Sequence, residues 1–373
     1  MDTTLDDSHD ELGRIARQLF DARCPLTSVR QLEGDSLGYL PALWAEMAGL
    51  DWLSLTYPEA LGGSGGTLVD LSVIYQEFGR ALVPSPHLAS AVIAGETLVQ
   101  DQSGNHGDLL ASMVAGDAIV VPALMEPDAG FGPDAVTMAA RTTPAGYRID
   151  GTKILVPYAH VAERLLVATR TQASPDGITL VLVDPATEGV AVTAMANIAD
   201  APLFEVTFDQ VVVPPEHVVG EIGRGWSLLG PALDRATVLR CAEIVGAGKA
   251  LLDLSVGYAQ ERKQFGRPIG QFQAVQFLCT DIAIASHLTE LLCHQAAWRL
   301  DTGLPARREV ALAKSYASRA VQRIVHCAHE VHAGVAFMVE ADVQLYTRRA
   351  KHWEYDLGEA RYHDDVIAAG MEV

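Results

Sequence analysis

The spacing of apolar residues changes twice along this chain, and that change limits the folds open to it. Residues 1–115 carry apolar side chains at helical spacing, as around Leu71 and Ile74. Residues 116–222 instead contain short β-branched runs such as T-L-V-L-V-D, separated by Gly, Pro, Asp and Asn turns. Long helical stretches return over 223–373. The sequence therefore predicts an α+β protein with an N-terminal all-α domain, a middle β-barrel or sandwich, and a C-terminal bundle of about four helices.

The composition limits the partners and the compartment that we expect. A chain of 373 residues with 49% hydrophobic content is long enough to bury several cores. Its net charge of −20 argues against nucleic acid and anionic membranes as partners. No apolar run approaches the roughly 20 residues that a membrane span needs, and the acidic first residues predict no secretory leader. The five cysteines lack paired spacing, which predicts neither disulfides nor a zinc site and fits a cytoplasmic protein.

One short stretch, Glu261–Gln273, carries residues that suit a nucleotide. It reads E-R-K-Q-F-G-R-P-I-G-Q-F-Q, with a Gly and a Pro that end the preceding helical pattern. Arg262 offers a planar fork of donors for a pyrophosphate, Phe265 an aromatic face, and Gln273 an amide that can reach a purine edge. The alternative is that Arg262 complements a helix dipole and Phe265 packs in a core. Taken whole, the stretch predicts one end of a nucleotide site.

Three further motifs give this stretch its context. They are W-A-E-M-A-G-L-D-W-L-S-L at 44–55, P-E-A-L-G-G-S-G-G at 58–66 and F-D-Q-V-V-V-P-P-E-H-V-V-G at 208–220. Together the four motifs resemble the acyl-CoA dehydrogenase family over nearly the whole chain. The resemblance implies FAD as cofactor, an acyl-CoA thioester as substrate and an electron-transfer flavoprotein as acceptor. It also implies a tetramer in which the Arg, Phe and Gln of the 261–273 stretch hold the FAD of a neighbouring subunit.

The segments that the resemblance places beside the flavin ring have altered side chains. They are M-E-P-D-A-G-F-G, which starts at Met125, and G-T-K-I-L-V-P, which ends at Pro157. Met125 and Phe131 stand where the family usually has hydroxyls, and Leu155, Val156 and Pro157 stand where an aromatic, an aliphatic and a Ser or Thr line the ring. Pro157 lacks even the backbone donor. A flavin here would lose several polar contacts, each worth about 1 kcal/mol; alternatively, Leu155 and Val156 simply pack a barrel.

The second half of the nucleotide site is altered in part. E-V-H-A-G-V-A-F, which starts at Glu330, resembles the family's Gln-x-x-Gly-Gly run, which approaches the adenosine side from a neighbouring chain. Glu330 replaces the amide with a negative charge, and Ala333 adds a methyl group. Gly334 is kept. With Arg262 it predicts that this chain can still donate an edge that holds FAD.

No catalytic base is identified. The two positions at which family members carry the catalytic Glu correspond here to Ala236 and Leu357, and neither side chain can take a proton. The acidic residues near these positions are expected to be solvated or ion-paired: Asp234, Glu243, Glu340, Glu354 and Asp356. Glu243 follows Ala236 by two helical turns, about 10 Å along the axis, which is too far for a direct substitute.

Three histidines, His326, His329 and His332, recur at every third position. Carboxylate and thiolate partners at ligand spacing are missing, so we predict no metal site.

Three hypotheses of function follow. In the first, the chain is one subunit of a hetero-oligomeric acyl-CoA dehydrogenase, a heterotetramer whose second polypeptide supplies the base and the flavin-ring contacts. It then resembles the base-lacking subunits of actinobacterial two-subunit enzymes of steroid degradation, which act on bulky sterol side-chain thioesters. In the second, it is a self-sufficient homotetrameric dehydrogenase with a displaced base. In the third, it is a non-redox or structural relative that has lost the flavin.

Overall fold

The N-terminal third of the chain is helical. A computed structural model describes residues 5–174 and 177–370. Its first six α-helices are α1 Asp7–Arg23, α2 Leu26–Gln31, α3 Pro41–Gly49, α4 Leu68–Ala81, α5 Glu96–Val99 and α6 Gly107–Ala115. A π-helix, Leu88–Gly95, precedes α5. Thr67 caps α4, since its hydroxyl accepts from the Asp70 backbone while the Asp70 carboxylate accepts from the Thr67 backbone.

The middle of the chain forms two four-stranded sheets. The strands are β1 Val120–Ala123, β2 Ala140–Thr143, β3 Gly146–Pro157, β4 Arg164–Arg170, β5 Ile178–Val183, β6 Val190–Ala194, β7 Leu203–Val213 and β8 Val218–Val219. One sheet has the order β1-β4-β5-β8 and the other β2-β3-β7-β6, and only the β1–β4 pair among them is parallel. Strand β5, I-T-L-V-L-V, is buried along its whole length. Strand β3 has register shifts against β7 between Ile149 and Gly151 and between Lys153 and Val156.

The C-terminal part returns to long helices. They are α7 Gly225–Glu261, α8 Gln273–Asp301, α9 Arg307–His332, α10 Asp342–Tyr355 and α11 Ala360–Ala369. Between α7 and α8 lies a small hairpin of β9 Lys263–Gln264 and β10 Arg267–Pro268, and a short 3₁₀ helix, Ala333–Phe337, follows α9. The predicted order of a helical, a β and a helical part is thereby confirmed. Among the described residues, every helix is too short or too polar to cross a membrane.

The chain divides into two compact units that differ from the predicted linear domains. One unit contains Thr67–Val83 together with the chain before Leu32 and after Ala236; the other contains Leu32–Gly66 and Pro84–Ala236. The boundaries 1–115, 116–222 and 223–373 stay a prediction. Each compact unit combines segments that are distant in the sequence, so the division into units does not test boundaries drawn along the chain.

Within the first unit, helix α4 and the part of α7 that begins at Thr237 approach closely enough to require glycine on both sides. A Cβ added to Gly79 would lie 1.7 Å from the Glu243 carbonyl oxygen, and one added to Gly246 would lie 1.6 Å from the Gln76 carbonyl oxygen. The two contacts are reciprocal, since each helix contributes one glycine and one opposing backbone. This crossing fixes α4 against the helix on which the first family base position lies.

Candidate active and nucleotide-binding site

The stretch predicted to hold a nucleotide forms an exposed edge. Arg262 directly follows α7, Phe265 lies in the β9–β10 turn, and Gln273 is the first residue of α8. All three are exposed, and Phe265 is 93% exposed, which rules out the alternative that it packs in a core. Phe265 and Gly266 both have positive φ, 53° and 80°, so a tight turn holds the ring outward.

This edge also carries cations that the rest of the described chain does not neutralise. Within residues 5–174 and 177–370, no carboxylate pairs with the side chains of Arg262, Lys263 or Arg267. Arg267 instead lies over the Phe272 ring, 4.2 Å from its centroid. In a chain of net charge −20, such a cluster of unpaired cations favours an anion from outside the chain. We name these three residues the basic edge.

A ring stack brings the second half of the nucleotide site to the same end of the bundle. Tyr258, in the last turns of α7, stacks on His332 at the end of α9, with ring centroids 4.6 Å apart. Arg262 follows Tyr258 by one helical turn, and Gly334 follows His332 by two residues. Glu330 and Gly334 are both exposed, and a Cβ on Gly334 would meet nothing within 4 Å. Any need for a glycine here therefore comes from a molecule outside this chain.

The segment around Met125, which we predict to lie beside the flavin ring, is attached to β3 by its backbone. The Ile154 N–H donates to the Met125 carbonyl at 2.9 Å, which ties the Met125 segment to β3. The next residue, Glu126, is buried and accepts from the backbone N–H of Met138 at 3.0 Å. It also pairs with Lys153 Nζ at 2.7 Å, and Lys153 is fully buried. Burial raises the pKa of Glu126, but the Lys153 ammonium group outweighs it and holds the pKa below its usual value.

The side chains and donors of this segment do not fit a flavin ring. The Leu155 N–H points at Met195 Sδ, at 3.5 Å, and Pro157 has no N–H to offer. Val156 is 1% exposed and pairs with Phe204 in β7, as the alternative of a packed barrel expects. Leu155 has φ 54° at the bulge and is 39% exposed, so it packs less completely than that alternative expects. This segment is therefore paired with β7, and Met125 and Pro157 lack the hydroxyl and the N–H that the resemblance places beside a flavin ring.

The two positions at which the resemblance predicts a catalytic base hold no acid. Ala236 is fully buried on α7, and Leu357 lies in the turn between α10 and α11 with φ 58°. The side-chain ammonium of Lys314, itself fully buried, donates to the carbonyls of Gly358 at 2.8 Å and Trp353 at 3.1 Å. Burial lowers the pKa of Lys314 to about 8.

The neighbouring carboxylates are held in ion pairs. Arg240 lies one turn after Ala236 on α7 and donates to Asp356 from Nε at 2.9 Å and to Glu243 from Nη1. Burial raises the pKa of Glu243, which Arg240 only partly opposes. Burial also raises the pKa of Asp356, but Arg240 and further cations outweigh it and hold that pKa below its usual value. Neither carboxylate is free to act as a base.

Glu354 and Glu340 agree with the expected ion-paired or solvated state, and for the half-buried Asp234 that state stays a prediction. Glu354 pairs with Lys351 at 2.6 Å, and the Glu340 side chain is exposed. His329, one of the three histidines for which we predict no metal site, forms a hydrogen bond with Thr347 Oγ1 at 2.7 Å. In the part of the chain that the structure describes, no group of three or more His, Cys, Asp or Glu residues could hold a metal ion.

Sequence reasoning missed two buried lysines, Lys153 and Lys314. Each lies inside a run of apolar residues, in G-T-K-I-L-V and A-L-A-K-S-Y. A lone lysine in such a run signals a buried ammonium that needs fixed partners. Both anchor the segments that carry the altered site residues.

Comparison with known proteins agrees with this architecture. The family models of acyl-CoA dehydrogenase N-terminal, middle and C-terminal domains match residues 6–104, 122–211 and 223–372. Probable acyl-CoA dehydrogenase YngJ of Bacillus subtilis is 30% identical over 347 residues, 90% of each chain. Acyl-CoA dehydrogenase FadE27 of Mycobacterium tuberculosis is 31% identical over 369 residues, 96% of each chain.

Two solved structures of similar proteins each carry a pair of protein names, and one of them is described as a complex. The ChsE4-ChsE5 complex from Mycobacterium tuberculosis contains a chain that superposes with a TM-score of 0.91 at 30% identity, over 100% of both chains. A variant of the Tcur3481-Tcur3483 steroid ACAD gives 0.87 at 29% identity, over 99% of this chain and 100% of that one. This chain belongs to the acyl-CoA dehydrogenase family of FAD-dependent oxidoreductases.

Proposed function

We propose that this chain is the subunit without a catalytic base in a hetero-oligomeric acyl-CoA dehydrogenase. The carrying observation is that one chain combines an exposed, unpaired basic edge with a predicted ring-side segment in which Met125 and Phe131 have no hydroxyl and Pro157 has no N–H. The basic edge holds the nucleotide part of an FAD. A second, dehydrogenase-like subunit binds the flavin ring of that FAD and supplies the catalytic Glu. The assembled enzyme desaturates an acyl-CoA thioester between its α and β carbons and passes electrons to an electron-transfer flavoprotein.

The contribution of this chain is then binding rather than proton transfer. The planar guanidinium of Arg262 provides a two-pronged contact for a pyrophosphate, and the outward ring of Phe265 provides an apolar face beside it. Gln273, at the start of α8, provides an amide for the adenine edge. When bound, FAD supplies the hydride acceptor of the reaction. The carboxylates Glu243 and Asp356 keep Arg240 neutralised and hold the fold.

The relatives favour a heterotetramer and a bulky substrate. Two solved relatives pair two differently named proteins, and one of these pairs is described as a steroid ACAD. We extend both properties to this chain: a second acyl-CoA dehydrogenase-like partner, and a sterol-type side-chain thioester as substrate in steroid degradation.

One observation favours the second candidate, a self-sufficient homotetrameric enzyme. Glu243 has a raised pKa, which a base in this family needs, and it shares a helix with Ala236. Glu243 pairs with Arg240 and lies two helical turns from Ala236, and both facts argue against the role of a base.

The isolated chain should hold less than one FAD per chain. On the predicted ring side, Met125 and Phe131 offer no hydroxyl and Pro157 offers no N–H to the flavin, while the basic edge would contact only the nucleotide part. The flavin-to-protein absorbance ratio after gel filtration measures this. One tightly bound FAD per isolated chain would contradict the proposed division of labour and support the self-sufficient enzyme.

Replacing Arg262 by Lys should weaken FAD binding in the assembled enzyme by about 1–3 kcal/mol, because Lys keeps the charge but loses the two-pronged geometry. Fluorescence titration of the apo-complex with FAD measures the change. Arg224→Lys is a matched control, since Arg224 is also exposed and pairs within the chain with Glu221 at 3.4 Å. If both variants bind FAD like the parent, Arg262 only complements the end of α7.

A further inference from the structure

Helix α11 is attached to its neighbours by very little buried surface. Of its ten residues, all of which the structure describes, only His363 is a buried side chain. Helix α10, in comparison, buries five side chains, among them Tyr346 and Trp353. An isolated helix as short as α11 is marginal in water. The docking of α11 on α9 therefore depends on one histidine more than on any other side chain of this helix.

The His363 imidazole also holds the turn that joins α10 to α11. Its Nε2–H donates to the Leu357 carbonyl at 3.0 Å, so Nδ1 is the basic nitrogen of the neutral ring. Gly358 has φ 98°, and a Cβ there would lie 2.9 Å from His363 Nε2. The backbone of the turn thus runs directly against the ring. If the ring moves out, the Leu357 carbonyl loses this donor and α11 loses its buried anchor.

The surroundings of His363 oppose a further positive charge. The fully buried ammonium of Lys314, on α9, donates to the Gly358 carbonyl at 2.8 Å, next to the carbonyl that His363 holds. A protonated ring would therefore place two buried cations on adjacent carbonyls of one turn. Further charged groups act on the Lys314 ammonium: Arg240 on α7, and Glu354 and Asp356 at the end of α10.

The carboxylate of Asp364, the next residue, favours a charged ring but has partners of its own. The Ser315 hydroxyl donates to it at 2.6 Å, and Arg319 forms an ion pair with it. Burial lowers the pKa of His363 from its ordinary 6.5 to about 4; the Lys314 ammonium acts in the same direction and Asp364 only partly opposes it. The docked helix therefore holds this ring in its neutral form.

We propose that His363 is an acid-sensitive latch: protonation of its ring releases the α10–α11 turn and helix α11 from α9, while the other C-terminal helices stay folded. The latch is independent of the function proposed above, because all of its contacts lie within this chain. Since the ring binds a proton more tightly in the released helix than in the docked one, docking is fully favoured above pH 6.5. It is lost progressively as the pH falls toward about 4.

Hydrogen exchange of the whole chain, read by mass spectrometry on peptides from α11, measures the release. Protection factors, corrected for the pH dependence of intrinsic exchange, should fall by about tenfold per pH unit below pH 6.5, and by roughly 50–100-fold in total between pH 7.5 and 4.5. Peptides from α9 should lose much less protection over the same range. Constant protection of α11, or an equal loss from α11 and α9 together, overturns the latch.

Three variants identify the group that titrates. His363→Gln keeps an amide donor for the Leu357 carbonyl but cannot be protonated, so the protection of α11 should no longer depend on pH. His326→Gln, at an exposed residue of α9, is the matched control and should behave like the parent. His352→Gln changes the histidine of α10 whose pKa burial also lowers to about 4, and it too should keep the parent's dependence for α11. A dependence that persists in His363→Gln, or that disappears in His352→Gln, excludes His363 as the latch.

A measurement on the parent chain covers the case in which His363→Gln does not fold. The titration of the His363 ring is followed by NMR of the chain with labelled histidine. A midpoint well below pH 6.5 that coincides with the loss of α11 protection supports the latch. A midpoint at pH 6.5 or above overturns it, because the docked helix would then not oppose the proton.

Discussion

Changing Glu243, Glu340 or Glu354 singly to Gln should leave the turnover of the assembled enzyme nearly unchanged. The resemblance places Ala236 and Leu357 at the two base positions of the family, and the proposed function therefore predicts that no carboxylate of this chain takes the α-proton. The ion pairs agree with this expectation, because Glu354 is bound to Lys351 and Glu243 to Arg240.

Glu243→Gln is the most discriminating of the three variants. Glu243 is buried and burial raises its pKa, which are properties of a base in an apolar site. Gln at this position removes one of the two carboxylates that pair with Arg240 and leaves its pair with Asp356, so some stability should be lost. Turnover is therefore counted per bound flavin in folded complex, which separates a stability effect from a catalytic one.

Removing the partner's catalytic Glu is the positive control. A positioned base typically contributes on the order of 100-fold to 10,000-fold, so that change should abolish turnover. The assay is dehydrogenation of a CoA thioester with an artificial electron acceptor. If Glu243→Gln loses activity by that factor while the complex still binds FAD, this chain is a catalytic dehydrogenase with a displaced base.

The sequence predicts what depends on local pattern. Helical spacing in the terminal parts and β-branched runs in the middle correspond to α1–α6, β1–β8 and α7–α11, because period and turn residues act over a few positions. The exposed Arg262 edge was also predictable, since a Gly-Pro stop after a long helix places the following residues at its end.

Long-range contacts were not predictable in the same way. The buried Glu126–Lys153 pair joins residues 27 positions apart, and Lys314 reaches Gly358 over 44 positions. The Tyr258–His332 stack, which brings the two nucleotide segments together, depends on how α7 packs beside α9. The burial of the α11 histidine is equally long-range, because it depends on how α11 packs on α9.

The α4–α7 crossing gives the largest expected effect on stability. Gly79→Ala would place a methyl carbon 1.7 Å from the Glu243 carbonyl oxygen, and Gly246→Ala would place one 1.6 Å from that of Gln76. Both obstacles are backbone atoms inside buried helices, so no side chain can move aside and the helices themselves must separate. Overpacking of a core costs typically about 1–3 kcal/mol, and more when backbone has to shift. Each variant should reach the upper end, about 3 kcal/mol.

A third glycine supplies the control on the same helix. A Cβ on Gly257 would meet nothing within 4 Å, so Gly257→Ala should stabilise the chain by about 0.5–1 kcal/mol through helix propensity alone. Urea unfolding followed by circular dichroism measures all three variants. We expect the transition midpoint to fall for Gly79→Ala and Gly246→Ala and to rise slightly for Gly257→Ala. If the first two midpoints also rise, the helices do not cross at this distance, and propensity rather than close approach governs these positions.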